Sequence, residues 1–412
     1  MTSGWPFRLF RAFGIEIEYM IVDRGSLGVR PVADELIRRE WGAIVSEGER
    51  GDIAWTNELA LHVIELKTNG PSATLEGLAT SFQDNVERCN TILAEMGAML
   101  LPTGMHPLMV PARDFRLWPH EYSTVYDAFN RIFDCRGHGW SNLQSCHLNL
   151  PFGDDAEFGR LHAALRILLP ILPAIAASSP CVEGRPTGFH DTRVDVYRTN
   201  ARRVPAVAGS IIPEEVFTPR DYESKILQRI YADLAPLDPD GVLRHEWVNA
   251  RGCIARFDRG AIEIRLLDTQ ECPAADIAIA AVVTEAARDL VEQRRCPFDA
   301  QRSFATGRLA TILDQTSRDG EGAILRDAGY LEAFGFPAAD CRAGELWRHI
   351  TDSSGATRTW PGAAPALEVI LESGSLSTRI LRALGPEPEE AHVREVYADV
   401  GRCLAAGTMF HA

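Results

Sequence analysis

The stretch Phe13-Gly14-Ile15-Glu16-Ile17-Glu18-Tyr19-Met20-Ile21-Val22 alternates apolar and acidic side chains with a period of two. In extended backbone, residues i and i+2 share a face. The spacing therefore predicts a β-strand with Glu16 and Glu18 on one side and Ile15, Ile17, Tyr19 and Ile21 on the other. Neighbouring carboxylates repel, and in a half-buried site one of them stays protonated unless a positive charge lies between them. A divalent cation removes the conflict. An edge strand with a solvated acidic face is the alternative for this strand taken alone.

The same polarity recurs at three later places. Ile53 to Thr68 carries Glu58 and then Val63, Glu65 and Lys67 on one face, with Ile64 and Leu66 opposite; Ser145 to Phe152 sets His147 and Asn149 against Leu148 and Leu150; Ala261 to Asp268 sets Glu263 and Arg265 against Ile262, Ile264 and Leu266. Between these strands the period changes to that of a helix. Leu75, Leu78, Phe82, Val86, Cys89 and Met96 recur at spacings of three and four, which predicts a long amphipathic helix opening at Pro71 and Ser72 and closed by Gly97. Ala98 to Leu101 reads as a strand, Val29 to Val32 as a return strand, and helices are expected from Ala156 and from about Asp276. Pro111 to Trp140 and Cys181 to Tyr222 show no clear period, and an unpatterned stretch of that length inside a compact protein is more often functional than idle.

The expected fold is α+β: a curved, mainly antiparallel sheet with one polar face and helices on its convex face, followed by a helical C-terminal region. Residues 1–297 are expected to form the catalytic sheet-and-helix domain and 298–412 a helical region packed on it.

Composition excludes several functions. A net charge of −15 without a cluster of Lys and Arg argues against a nucleic-acid partner. Nine scattered cysteines, none in a Cys-x-x-Cys pair, fit reduced thiols in the cytoplasm. Met1 to Arg11 has no signal-peptide pattern, and the apolar run Leu161 to Ala177 is broken by Arg166, Pro170 and Pro173, so no membrane association is expected. Phosphate-loop, dinucleotide-fold, nucleophile-elbow and His-Glu-x2-His motifs are all missing; His245-Glu246 does not extend to the last. Cys146 and His147 point to opposite strand faces and make a poor nucleophile pair. His106, before Pro107, reads as a turn or core histidine.

Several carboxylates facing one cavity need countercharge, and the strands offer too few basic partners. Carboxylate oxygens and an imidazole suit Mg²⁺ or Mn²⁺. A metal-dependent hydrolase could use the same groups to activate water.

Five motifs narrow the choice. Gly14-Ile-Glu16-x-Glu18, Glu65-Leu-Lys-Thr, Gly104-Met-His106-Pro107, Ser178-Ser-Pro180-x3-Gly184-x2-Thr187-Gly188-x4-Arg193 and Glu263-Ile-Arg265-x2-Asp268 follow in this order. Together they resemble the bacterial glutamate–cysteine ligase family 2, the carboxylate–amine ligases. The resemblance implies a fold like that of the glutamine synthetase catalytic domain, with ATP and several Mg²⁺ ions. It also implies a reaction in which ATP phosphorylates a carboxylate and an amine then displaces phosphate to leave an amide, by family default a γ-glutamyl bond from glutamate and cysteine.

Carried over, Glu18, Glu58 and Glu65 would hold one metal, and Glu16, His147 and Glu263 the metal nearer the ATP phosphates. Arg265 would neutralise the transferring phosphoryl group. Arg265, Glu263 and Glu58 are thus the catalytic candidates, and Arg265, Glu16 and His147 the ATP-site candidates. Asn149, Arg193 and Arg251 are candidates for holding substrate, with a simple ion pair equally open for the two arginines. A catalytically silent nucleotide-binding relative would lack some of these ligands, yet every expected position carries a competent side chain. Asn149 departs from the His-x-His of many relatives, and residues 111–140 match nothing in the family, which makes them the expected place for a different substrate. The expected partners are a small-molecule acid and an amine. Apolar faces of the helices beyond Pro297 leave a homo-oligomer open.

Overall fold

The computed structural model describes residues 5–412. Eight strands form the main sheet: β1 (Gly14–Asp23), β2 (Glu47–Arg50), β3 (Ile53–Asn57), β4 (Val63–Thr68), β5 (Ala98–Leu101), β6 (Ser145–Pro151), β7 (Cys253–Arg256) and β8 (Ala261–Asp268). Their order is β2-β3-β4-β1-β6-β8-β7, with β5 paired to the far end of β1, and every pairing is antiparallel. Strand β1 is therefore central. The register sets Glu16 between Lys67 and His147, and Glu18 beside Glu65. Glu263 of β8 stands opposite Asn149.

Period-two alternation decides which side of the sheet is covered. Ile15, Ile17, Tyr19, Ile64, Leu66, Leu148, Leu150, Ile262 and Ile264 are buried to within 1% of their surface. Three helices, Leu78–Ala94, Asp155–Leu168 and Pro273–Val291, pack together behind the sheet. The last is buried on nearly every side, as a helix apolar all round must be. Beyond it lie the C-terminal helices: Ala343–Ser354 and Ala364–Ser373 pack on Pro273–Val291, while Glu390–Ala406 returns to β5 and to Leu78–Ala94. One apolar cluster runs from Phe10 to Phe410.

Three local expectations are corrected. Val29 makes a single bridge to Val22 and the chain then enters the helix Ala33–Trp41, so the return strand is absent; the real edge strand, β2, reads Glu-Gly-Glu-Arg and has no apolar alternation to betray it. The long amphipathic helix begins at Leu78, not at Pro71, because Ser72 exchanges two backbone hydrogen bonds with Phe13. Cys181 to Tyr222 is not a bare loop: it holds a short hairpin and the helix Thr192–Asn200. Among the described residues no helix is long and apolar enough to cross a membrane.

Candidate active site

The polar sheet face forms the floor of a cleft of about 1000 Å³. Glu16, Glu18, Glu58, Glu65, His147, Glu263 and Arg265 all line it. Two groups of side chains bring ligand atoms within 4.8 Å of one another: Glu16, His147 and Glu263, and Glu18, Glu65 and His147. The first is the group expected for the phosphate-side metal. The second differs from expectation, since His147 takes the place given to Glu58, which sits just past the end of β3 on the cleft wall. The donors are carboxylate oxygens and one imidazole with no thiolate, a set that fits a hard divalent cation.

Hydrogen bonds hold these side chains in place. His147 Nδ1 meets a Glu16 carboxylate oxygen at 3.1 Å and Nε2 meets the Ser145 hydroxyl at 2.8 Å. The Ser145 backbone N–H donates to Glu18 at 2.8 Å, and the Thr56 hydroxyl to Glu65 at 2.5 Å. Asn149 donates to Glu16 at 3.2 Å, so it orients that carboxylate from beneath.

The charges are distributed unequally. Glu263 accepts from Arg265 Nε at 2.5 Å and pairs with Arg256 at 3.3 Å. Burial opposes its ionisation, but Arg265, His147 and Arg256 outweigh burial and hold the carboxyl at about 2. Burial likewise opposes Glu16, and the hydrogen bond with His147 wins, leaving it below the ordinary carboxylate range. Across the floor the balance reverses. Burial, then the charges of Glu16 and Glu18, push Glu65 up to about 7. Burial, then Glu65 and Glu18, raise Glu58 well above its usual value. The lack of countercharge anticipated from sequence thus applies to the Glu18, Glu58 and Glu65 half, while Arg256 and Arg265 correct it for Glu263.

Arg265 owes its position to a bulge. Ile264 pairs with Leu148 and Leu267 with Cys146, so Arg265 and Leu266 together face His147 alone; such insertions re-aim side chains beside active sites. Arg193 borders the cleft, but its Nε donates to Asp268 at 2.5 Å and its Nη2 to the Arg265 carbonyl at 3.1 Å. Asp268 also accepts from the Ser178 N–H and the Ser179 hydroxyl, at 2.8 and 2.7 Å. Gly104 lies so close that a Cβ there would fall 2.3 Å from the Asp268 carboxyl carbon. Three of the five sequence motifs therefore converge on Asp268 and brace the end of β8. Arg251 is not among the cleft-lining residues, and its guanidinium is taken up by Glu214 (2.6 and 2.7 Å), Asn249 and the Ala206 carbonyl, the ion-pair alternative left open by the sequence.

Sequence reasoning missed Arg256, Arg259 and the aromatic wall. Arg256 is cross-strand from Ala261 and shares the face of Glu263; apolar Ile254 lies on that same face, so the four-residue strand carries no alternation to signal it. Arg259 approaches Glu16 at 3.6 Å. A second pocket of about 390 Å³ adjoins the cleft through Glu16, Lys67 and Arg259 and is lined by Phe7, Phe13, Pro71 and Pro151.

A braced antiparallel floor carrying metal-competent carboxylates and a phosphate-competent arginine fits an ATP-dependent carbon–nitrogen ligase of glutamine-synthetase-like fold, joining a carboxylate to an amine. The chain belongs to glutamate–cysteine ligase family 2, whose profile matches residues 12–399. An uncharacterized protein of Archaeoglobus fulgidus is 38% identical over 96% of this chain and 99% of its own length. A putative glutamate–cysteine ligase of Nocardioides is 27% identical over 73% of this chain and 71% of its own. Among solved structures, the glutamate–cysteine ligase of Francisella tularensis in complex with AMP superposes with a TM-score of 0.61 at 13% identity, covering 96% of this chain and 89% of that one.

Proposed function

We propose that the protein forms an amide, of γ-glutamyl type, between a small-molecule acid and an amine in the cytoplasm, with ATP and Mg²⁺ or Mn²⁺. The observation that carries this is the pair of ligand groups sharing His147 beside Arg265. The cationic half of the cleft, with Arg256, Arg259, Arg265 and Lys67, suits the triphosphate. The base then has the adjoining pocket by Phe7 and Phe13.

An oxygen of the acid attacks the γ-phosphorus, the bond to the β–γ bridging oxygen breaks, and ADP leaves. Arg265 draws on the charge that spreads over the phosphoryl oxygens. The amine nitrogen next attacks the acyl carbon, the carbon–oxygen bond to phosphate breaks, and the amine proton passes to Glu58. Glu16, His147 and Glu263 on one side and Glu18 and Glu65 on the other would hold the metal ions, which supply neutralisation of phosphate charge when bound. Arg193 and Asn149 keep the floor in register.

Incubation with ATP, Mg²⁺ and pools of acids and amines tests the proposal. ADP and phosphate should appear only when both an acid and an amine are present. Turnover that needs no nucleotide would instead favour a hydrolase.

A further inference from the structure

The wall beside the unneutralised carboxylates is aromatic. Helix Ser123–Phe133 contributes Tyr126 and Phe129, the segment after it Trp140, and the loop before β7 Trp247. The Phe129 ring lies 5.2 Å from Trp140 and 5.9 Å from Trp247, and His245 stacks on Trp247 at 5.4 Å with the planes 12° apart. Polar bonds fix the rings. The Tyr126 hydroxyl accepts from Asn57 Nδ2 at 3.1 Å, which ties the wall to the residue before Glu58, and the Trp140 indole N–H donates to the Asn200 carbonyl at 3.0 Å.

Core packing accounts for Phe129, which is 8% exposed. Tyr126, Trp140 and Trp247 pack against the core on one side, yet each stays partly open to the cleft on the other. Ring faces are negative, and Glu58, which stands outside both ligand groups, adds a carboxyl at the edge of the wall. The complementary ligand is a cation with an apolar body. The triphosphate is the wrong charge for the Glu18, Glu58 and Glu65 half; Arg256, Arg259 and Arg265, which suit it, cluster around Glu16 and Glu263, and Arg244 lines the cleft beside His245. A side chain as short as that of cysteine would leave most of the ring surface wet.

We infer that the amine accepted by this protein carries an aromatic body, which packs on Tyr126, Trp140 and Trp247 with its amino group at Glu58. The inference rests on the ligase proposal for the amine's fate, but not for its binding. The class is that of aralkylamines and aromatic amino acids.

Calorimetric titration with phenethylamine and with ethylamine, each with Mg²⁺ and both with and without adenylyl imidodiphosphate, tests the binding. Phenethylamine should bind at least about tenfold more tightly, since even one well-packed methylene is worth that much in a shaped apolar pocket. Trp247→Ala should erase most of the preference and Trp247→Phe should restore it, with melting temperatures showing that both variants fold. Equal affinities, or displacement of phenethylamine by the nucleotide analogue, would overturn the inference; displacement would make the wall a base-stacking surface. Turnover separates the two proposals. ADP release with cysteine equal to that with tyramine or phenylalanine sinks the aromatic preference and keeps the ligase. If no acid and amine pair releases ADP, the ligase proposal fails, and the titration still decides what the wall binds.

Discussion

Arg193 donates through Nη2 to the main-chain carbonyl of Arg265, 3.1 Å away, while its Nε holds Asp268 at 2.5 Å. One buried guanidinium thus pins both the bulge and the strand end that follow Glu263. A lysine has donors enough but not the rigid fork that reaches the two acceptors in this geometry. Arg193→Lys should fold, bind ATP nearly as well as the wild type, and lose about 10²-fold in kcat, because small displacements of a positioned group cost that much. Separate measurement of kcat and of nucleotide affinity checks it; a fall in affinity alone would place Arg193 on the nucleotide instead.

Arg265 and Glu263 should be far less forgiving. Arg265→Ala removes the cation aimed at the phosphoryl group, and a loss of about 10²- to 10³-fold in ADP formation is expected. Arg265→Lys should recover little, since a point charge does not reproduce the guanidinium fork. Glu263→Gln should abolish amide formation and, because the buried carboxylate neutralises Arg256 and Arg265, should lower the melting temperature while the protein still folds. Near-normal turnover in any of the three would remove that residue from the chemistry.

Glu65 gives a pH signature. Its carboxyl is raised to about 7 from an ordinary 4.5 in the folded protein. A carboxyl raised on folding stabilises the native state fully below its unfolded value, and that contribution is lost as pH rises through the folded value. Glu65→Gln carries no such loss. The stability of the variant relative to wild type, measured by denaturant unfolding without divalent ions, should therefore grow by about 3 kcal/mol between pH 4.5 and 8. Saturating Mg²⁺ at pH 8 should narrow the gap. A gap independent of pH would show that Glu65 ionises normally.

Gly104 tests the brace from behind. A methyl group there collides with the Asp268 carboxyl, which is held by Arg193, Ser178 and Ser179 and cannot swing away freely. Gly104→Ala should destabilise the protein by about 1–3 kcal/mol and lower kcat along with it. Unchanged unfolding midpoints would mean that Asp268 relaxes at little cost.

Much of the floor was legible because alternation is a local property. Glu16 and Glu18, Glu65, His147, and Glu263 with Arg265 sit on strands whose opposite faces are uniformly apolar, so their direction could be counted off the chain. That these strands would share one cavity was expected from the family resemblance; the central place of β1 came only with the structure. What could not be counted lay in segments without a period. The rings of Tyr126, Phe129, Trp140 and Trp247 come together only in space, and Arg256 sits on a strand too short to show a pattern. Arg193 and Asp268 were visible as motif residues, but their bond to each other depends on the bulge, which no spacing announces. Arg251 and Glu214 formed an ion pair 37 positions apart, beyond the reach of any local rule.

The alternation along β1 also makes the site a matter of parity. Removing a single residue just before Glu16 would turn Ile17 and Tyr19 into the cleft and drive Glu16 and Glu18 into the apolar layer over Pro273–Val291. An exchange alters one floor side chain, whereas an odd change of count turns over every side chain of the strand at once. The wall is free of that constraint, since residues 111–140 and the loop before β7 can lengthen or shorten without altering which way a floor carboxylate points. A scaffold of this kind can be refitted to new amines by insertions at its rim while its phosphate chemistry stays numerically locked.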